Sequence, residues 1–245
     1  TWQQRLSISL AMVDDSKFLD LNSRPPNFVA SYYRTRELFG AAISAGAVSG
    51  PPTIKFSGRE FSTLAADSKP LFNTTHNAKV KGAAQSNKFS NAFSNAFPGA
   101  AETRMPGYQG ENNAILGVTP DTLVLPNEYK LKNDVFAAIG ADKDPNTSNN
   151  GFNYQFGRWN VIVWPYLNQF IDPRAATVPW SLMDSKYNEE YGGGVWLDRI
   201  KLEVKSRIDE GNDANVWQGY SRFIAGFNDW RFISVGGITG GTSLT

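Results

Sequence analysis

Residues Trp196–Asp209 read "WLDRIKLEVKSRID". In an extended chain Ile200, Leu202, Val204 and Ser206 share one face, and Lys201, Glu203, Lys205 and Arg207 share the other. Alternation with a period of two predicts a half-buried antiparallel strand, its charged side either solvated or turned to a partner. Lys201, Glu203, Lys205 and Arg207 are therefore candidates for intersubunit ion pairs. "EGNDAN" then supplies a turn, "VWQGYSRFIAGF" (Val216–Phe227) returns as the partner strand, and "WRFISVGG" from Trp230 is predicted as a third strand. The C-terminal part is thus expected to be an antiparallel meander.

Upstream, "FVASYYRTRELFGAAISAG" (Phe28–Gly46) is the best helical stretch. Val29, Tyr32, Tyr33, Arg36, Phe39 and Ile43 follow the 3–4 spacing, Asn27 after Pro25-Pro26 is a candidate N-cap, and Gly46 a natural stop. Trp2–Met12 alternates as a strand, and "PPTIKFSGREFSTL" reads as a hairpin turning at Ser57-Gly58. A loop runs to Gly82. Ala83–Phe97 is predicted as a polar helix with a stripe of Phe89, Phe93 and Phe97, a packing face rather than a cofactor site. "TPDTLVLP" is a short buried strand, Asn127–Ala141 a helix ended by Gly140, and "DKDPNTSNNG" an exposed turn. "FNYQFGRWNVIVWPYL" is a β-prone run. Helices and strands are partly segregated around a mixed sheet, which is an α+β class.

A chain of 245 residues, 41% hydrophobic and 19% charged, is globular, and a net charge of +1 exerts no global pull on polyanions. Without cysteine there are no disulfides, thiolate metal sites or cysteine nucleophiles, and His76 as the one histidine excludes a histidine-rich metal centre within one chain. The glycine runs at Gly192 and Gly236 fit neither a P-loop nor a dinucleotide fingerprint. Asp67, His76 and Ser62 or Ser68 have the residue types of a hydrolase triad, but no GxSxG elbow surrounds a serine. Adjacent carboxylates at Asp14-Asp15 and Glu189-Glu190 diverge on either element type, and the aromatics are spread over every element instead of forming a stacking platform. No catalytic, cofactor or metal residue is assigned. One dense cluster remains, "AGFNDWRFISVGG" (Ala225–Gly237): Asn228-Asp229 in a tight turn, with Phe227, Trp230 and Phe232 buried. If the segment is extended, Arg231 projects away from its aromatic neighbours towards an intersubunit carboxylate, so Phe227, Asp229, Trp230, Arg231 and Phe232 are candidate packing or contact residues.

Taken in order, "YYRTRELFGAAISAG", "IKFSGREFSTLAADSKPLFNTTH", "TPDTLVLPNEYKLKNDVFAAIGA", "FGRWNVIVWPYL" and "AGFNDWRFISVGG" resemble the major capsid proteins of tailed bacteriophages, close to the Mu-type major head subunit group with the Hong Kong 97 capsid fold. The resemblance spans roughly Pro25 to Gly237 and rests on the collinear series rather than on one motif. It implies a spine helix at Phe28–Gly46, a peripheral domain with the long antiparallel strands, and an axial domain over much of Ala83–Tyr166, so that residues 1–82 and 181–245 are expected to form the peripheral domain and 83–180 mainly the axial one. It also implies an N-terminal arm and an extended loop before the spine helix, most of which would be missing here by cleavage or truncation. The implied function is structural: pentamers and hexamers tiling an icosahedral shell around double-stranded DNA, assembled in the bacterial cytoplasm and kept in the virion. Portal, scaffold, maturation protease and decoration proteins are the further partners, with no membrane and no cofactor. Lys79, Lys81 and Lys88 are candidate DNA-facing residues. An encapsulin-type nanocompartment shell is the alternative, and a hydrolase using His76 a remoter one.

Overall fold

A computed structural model of the chain describes residues 1–15, 23–50, 52–78, 80–94, 102–143, 151–172, 175, 177–211 and 213–238. The chain packs as two compact units, one made of residues 1–40 and 196–225, the other of 41–195 and 226–245. These units are defined by packing, whereas the segments drawn on the sequence were defined by role in a shell.

The first unit is a three-stranded sheet in the order β1 (Trp2–Ile8), β8 (Ala214–Phe227), β7 (Gly194–Asp209). Strand β1 runs antiparallel to β8, Trp2 opposite Ser221 and Ile8 opposite Asn215. The alternation at Trp196–Asp209 is realised as a 16-residue strand in which Ile200 and Leu202 are half-buried and Lys201, Glu203, Lys205 and Arg207 exposed. Beyond Leu202 both faces of the strand are largely solvated down to Ile208. The predicted first strand stops at Ile8, and residues Leu10–Asp15 form a helical turn, α1.

Helix α2 spans Arg24–Ser49, longer at both ends than predicted. Pro25 and Pro26 lie inside its first turn, where a missing N–H costs nothing, and Asn27 donates its N–H to the Ser23 carbonyl instead of capping. Within the first unit its residues join an aromatic cluster. Trp2 meets Tyr32 at 5.0 Å, Phe39 meets Phe223 at 5.7 Å, and Trp196 stacks on Phe223 at 5.3 Å. Arg36 bonds Asp198 at 3.0 Å and lies 4.7 Å from the Trp196 ring centre, so the helix is pinned to the sheet by one partly exposed ion pair over an aromatic floor.

The second unit is built on a mixed sheet, β5 (Asn160–Val163), β4 (Thr122–Leu125), β6 (Trp180–Met183), β9 (Ile233–Gly236), with β4 and β5 parallel and the other pairs antiparallel. Leu123, Leu125, Leu182, Trp180 and Val235 are among its fully buried residues. Helix α3 (Tyr129–Ile139) starts at Glu128, whose carboxylate accepts from the N–H groups of Lys130 and Leu131, and ends at Gly140. The hairpin β2 (Thr53–Phe56) and β3 (Arg59–Ser62) turns at Ser57-Gly58, both with positive φ, the left-handed pair a two-residue turn demands.

Three expectations are corrected here. Ala83–Ser94 is not a helix but an irregular extended segment with isolated bridges at Gln85 and Lys88, although Phe93 is buried and Phe89 packs on the core; Phe97 lies outside the described residues. Only Asn160–Val163 of the β-prone run is a strand, because Pro165 starts a 3-10 turn to Gln169 and residues before Asn160 bond locally. Helix α4 (Ser185–Tyr191) was missed, although Asp184, whose carboxylate caps the Tyr187 N–H, and the left-handed Gly192 are ordinary start and stop signals. The exposed turn predicted at "DKDPNTSNNG" falls largely on residues 144–150, outside the described residues.

Candidate functional site

The cluster at Ala225–Gly237 covers the end of strand β8 and the whole of β9. The chain turns at once after Phe227: Asn228 N–H reaches the Gly193 carbonyl at 2.7 Å, and Asp229 accepts the Arg231 N–H at 3.2 Å, an Asx-type turn. Trp230 is 3% exposed. Its ring stacks on His76 at 4.2 Å with 10° between planes, and Tyr108 meets it edge-on at 5.0 Å. Phe232 is buried and Phe227 packs on the same core.

The strand predicted from Trp230 therefore begins only at Ile233, and the extended geometry that would send Arg231 outward does not occur. Arg231 is 8% exposed and its donors are occupied within the chain. Nε donates to the Gln109 carbonyl at 2.8 Å, one terminal nitrogen to Asp229 at 3.0 Å, and the other to Glu111 at 3.1 Å. A cation engaged in so many bonds holds its own turn. Asp229 also accepts the Tyr187 hydroxyl at 2.9 Å. Burial first, then the charge and hydrogen bond of Asp229, raise the Tyr187 phenol above its ordinary range.

His76, the residue a triad would require, is 1% exposed. Its Nδ1 lies 2.6 Å from Asp67 Oδ2 and its Nε2 3.1 Å from Asn87 Oδ1. The position a nucleophile would occupy is filled by an amide oxygen. Asn87 is itself fully engaged. Its Nδ2 donates towards the carbonyls of Leu71, Trp230 and Ile233, and its Oδ1 also accepts the Asn73 N–H at 3.0 Å. Asp67, His76 and Asn87 thus form a closed, water-excluded hydrogen-bond chain that ties the 63–88 loop to the turn at Trp230. Such a network specifies structure, since every buried polar group in it has a partner. Asn87 was not singled out in the sequence; its partners are distant in the chain, and no local pattern marks it.

Of the remaining candidates, Lys201, Glu203, Lys205 and Arg207 are exposed on β7 and form no ion pair among the described residues. Lys81 is exposed, and Lys79 lies outside the described residues. Lys88 is half-buried with Nζ 3.4 Å from the Val48 carbonyl at the end of α2, and desolvation lowers its pKa. It serves the helix C-terminus rather than an open surface. An apolar cavity of about 290 Å3 lies among Ala45, Val124, Trp164, Leu167, Met183 and Phe232, with no titratable side chain on its wall. Among the described residues no group of three or more His, Asp or Glu could hold a metal, and no helix is long and apolar enough to cross a membrane.

What is found at the densest cluster is a joint, built from aromatic stacking and saturated hydrogen bonds, and the long strand carries a row of charges outside any ion pair among the described residues. A family model described as phage capsid protein matches residues 1–235, and the chain belongs to that family. The capsid of cyanophage P-SCSP1u is similar over 98% of this chain and 72% of its own, at 8% identity and a TM-score of 0.55. The mature capsid of bacteriophage PhiM1 is similar over 98% of this chain and 71% of its own at 10% identity and a TM-score of 0.54, and a structure described as Mycobacterium phage Patience over 100% and 70% at 8% identity and 0.51. At such identities the likeness is one of fold. No curated protein matches the chain. The protein is a major capsid structural protein of a bacteriophage virion.

Proposed function

We propose that the chain is the head subunit of a tailed phage with the Hong Kong 97 type of capsid fold, near the Mu-type group, and that it assembles as pentamers and hexamers into an icosahedral shell around double-stranded DNA. The observation that carries this is the family match over residues 1–235. Helix α2, 26 residues or about 39 Å long, suits the spine helix of such a subunit. The unit of residues 1–40 and 196–225 suits the peripheral domain, and much of 83–166 the axial one. In this reading Lys201, Glu203, Lys205 and Arg207 meet charges on a neighbouring subunit, and Lys81 is the DNA-facing candidate that remains exposed; assembly takes place in the host cytoplasm.

Electron microscopy of the purified protein tests the reading. Closed shells or capsomers with five- and six-fold symmetry are expected, and DNA inside particles made during infection. A chain that stays monomeric under assembly conditions overturns it, and a shell enclosing a cargo enzyme replaces it with the nanocompartment alternative.

A further inference from the structure

The segment Phe152–Phe156 is polar inside and aromatic outside. Asn153 and Gln155 are buried, whereas Phe152, Tyr154 and Phe156, at the alternate positions, are 79%, 62% and 46% exposed. The inversion is held by specific bonds. Asn153 Nδ2 donates to the carbonyls of Ala138 at 2.7 Å and Ala141 at 2.8 Å, closing the end of helix α3, and its Oδ1 accepts the Gln155 N–H at 3.0 Å. Gln155 Oε1 accepts the Trp159 indole N–H at 2.6 Å. Folding of the subunit therefore turns polar side chains inward and leaves much of three rings in water, area that gives the isolated chain no hydrophobic stabilisation.

From this we infer that Phe152, Tyr154 and Phe156 form a contact surface for a second copy of the same chain. The inference rests on the capsid reading, which supplies identical neighbours at high local concentration. The three rings leave on the order of 350 Å2 in water, taking about 200 Å2 per aromatic side chain. That is close to half of the roughly 800 Å2 each partner contributes to a standard interface. Phe136, half-exposed in the helical turn to which Asn153 is bonded, adds to it. The backbone that carries the rings is held before binding by the bonds of Asn153 and Gln155, which lowers the ordering cost of association. A stacked nucleic acid is the poorer occupant. Arg158, 4.1 Å from the Tyr154 ring centre, is already ion-paired with Glu102, so the cation that would hold a phosphate is neutralised.

Because the chain has no cysteine, Phe152→Cys installs a unique thiol in it. Its reaction with a maleimide should slow at least about tenfold on assembly, as expected at the water-excluded centre of an interface. A Phe152→Cys chain that melts normally but no longer assembles supports the contact equally. In parallel, the combined Phe152→Ser, Tyr154→Ser and Phe156→Ser variant should raise the concentration needed for assembly by about tenfold or more. Should the triple variant fail to fold, the labelling experiment decides alone. Phe152→Cys chains that assemble while the introduced thiol still labels at the free rate overturn this inference and leave the capsid function standing. Wild-type chains that never assemble overturn both.

Discussion

Two loops of the second unit invert each other. Around Asp67–Lys88 the chain buries a histidine and an asparagine against the rings of Trp230 and Tyr108, and both side chains have all their polar atoms paired. Around Phe152–Phe156 it also buries polar side chains but turns its rings outward. Residue polarity alone predicts neither. In both, a buried asparagine, Asn87 or Asn153, satisfies carbonyls left over by a turn or a helix end. The difference lies in what is done with the aromatics: in one loop they close the subunit, in the other they remain for something else to cover.

If Trp230 closes the subunit, Trp230→Ala should produce the largest loss. The ring is replaced by a cavity between His76 and Tyr108, with an expected cost of about 3–5 kcal/mol. Denaturant unfolding of the unassembled chain measures it, and Trp230→Phe should recover part. A loss below about 1 kcal/mol, the range of ordinary surface changes, would show that the turn is held by hydrogen bonds alone.

Asn87→Leu keeps the volume and removes the polar function. The carbonyls of Leu71, Trp230 and Ile233, the Asn73 N–H and His76 Nε2 then lose a partner together. About 3 kcal/mol is expected, since each unsatisfied buried group costs of order 1–3 kcal/mol and some relaxation occurs. Thermal melting should show it, with His76→Ala in a double-mutant cycle giving less than the sum of the two single losses. Strict additivity would mean that the Asp67–His76–Asn87 chain is not one network.

Alkaline pH tests the same region without mutation. Burial pushes the Tyr108 phenol up to about 12, its hydroxyl lying 2.7 Å from Ser234 Oγ. The neutral form is the one the fold favours. The contribution is therefore complete below the unfolded pKa near 10 and disappears as pH rises from there through 12, amounting to about 2–3 kcal/mol. Tyr187, also raised, acts in the same direction. Tyr108→Phe should flatten the decline in stability above pH 10; an unchanged slope would remove Tyr108 from the account.

The parts legible in the sequence are those with local causes. The hairpin follows from Ser57-Gly58, α2 from its 3–4 spacing, and β7 from alternation between Ile200 and Arg207. The four-residue spacing of Phe89 and Phe93 misled because burial of these rings is decided by contacts elsewhere: Phe89 N–H pairs with the Val235 carbonyl, and Phe93 meets Trp180 at 5.4 Å. The third strand was started too early for a similar reason. Alternation at Trp230–Phe232 looks extended, but Asp229 bends the chain and the Ile233 N–H turns back towards the Trp230 carbonyl. Arg231 consequently meets Glu111, a pairing across 120 positions that no spacing rule contains. The capsid identity was legible as an ordered series of segments, whereas the aromatic face at Phe152–Phe156 was hidden within a run that reads only as β-prone.

The smallest expected effect is the sharpest test of the contrast between the loops. Phe152→Ser should change the stability of the unassembled chain by no more than about 0.5 kcal/mol, the usual range for an exposed position away from caps and networks. The ring is 79% exposed, and the bridge that Phe152 makes with Lys143 is between main chains and survives the substitution. Asn153 and Gln155, which hold the loop, are untouched. A loss of more than about 1 kcal/mol in denaturant unfolding would mean that the ring already packs within its own subunit, beyond what surface substitutions produce. The two loops would then differ only in degree, and the aromatics at 152–156 would belong to folding rather than to association.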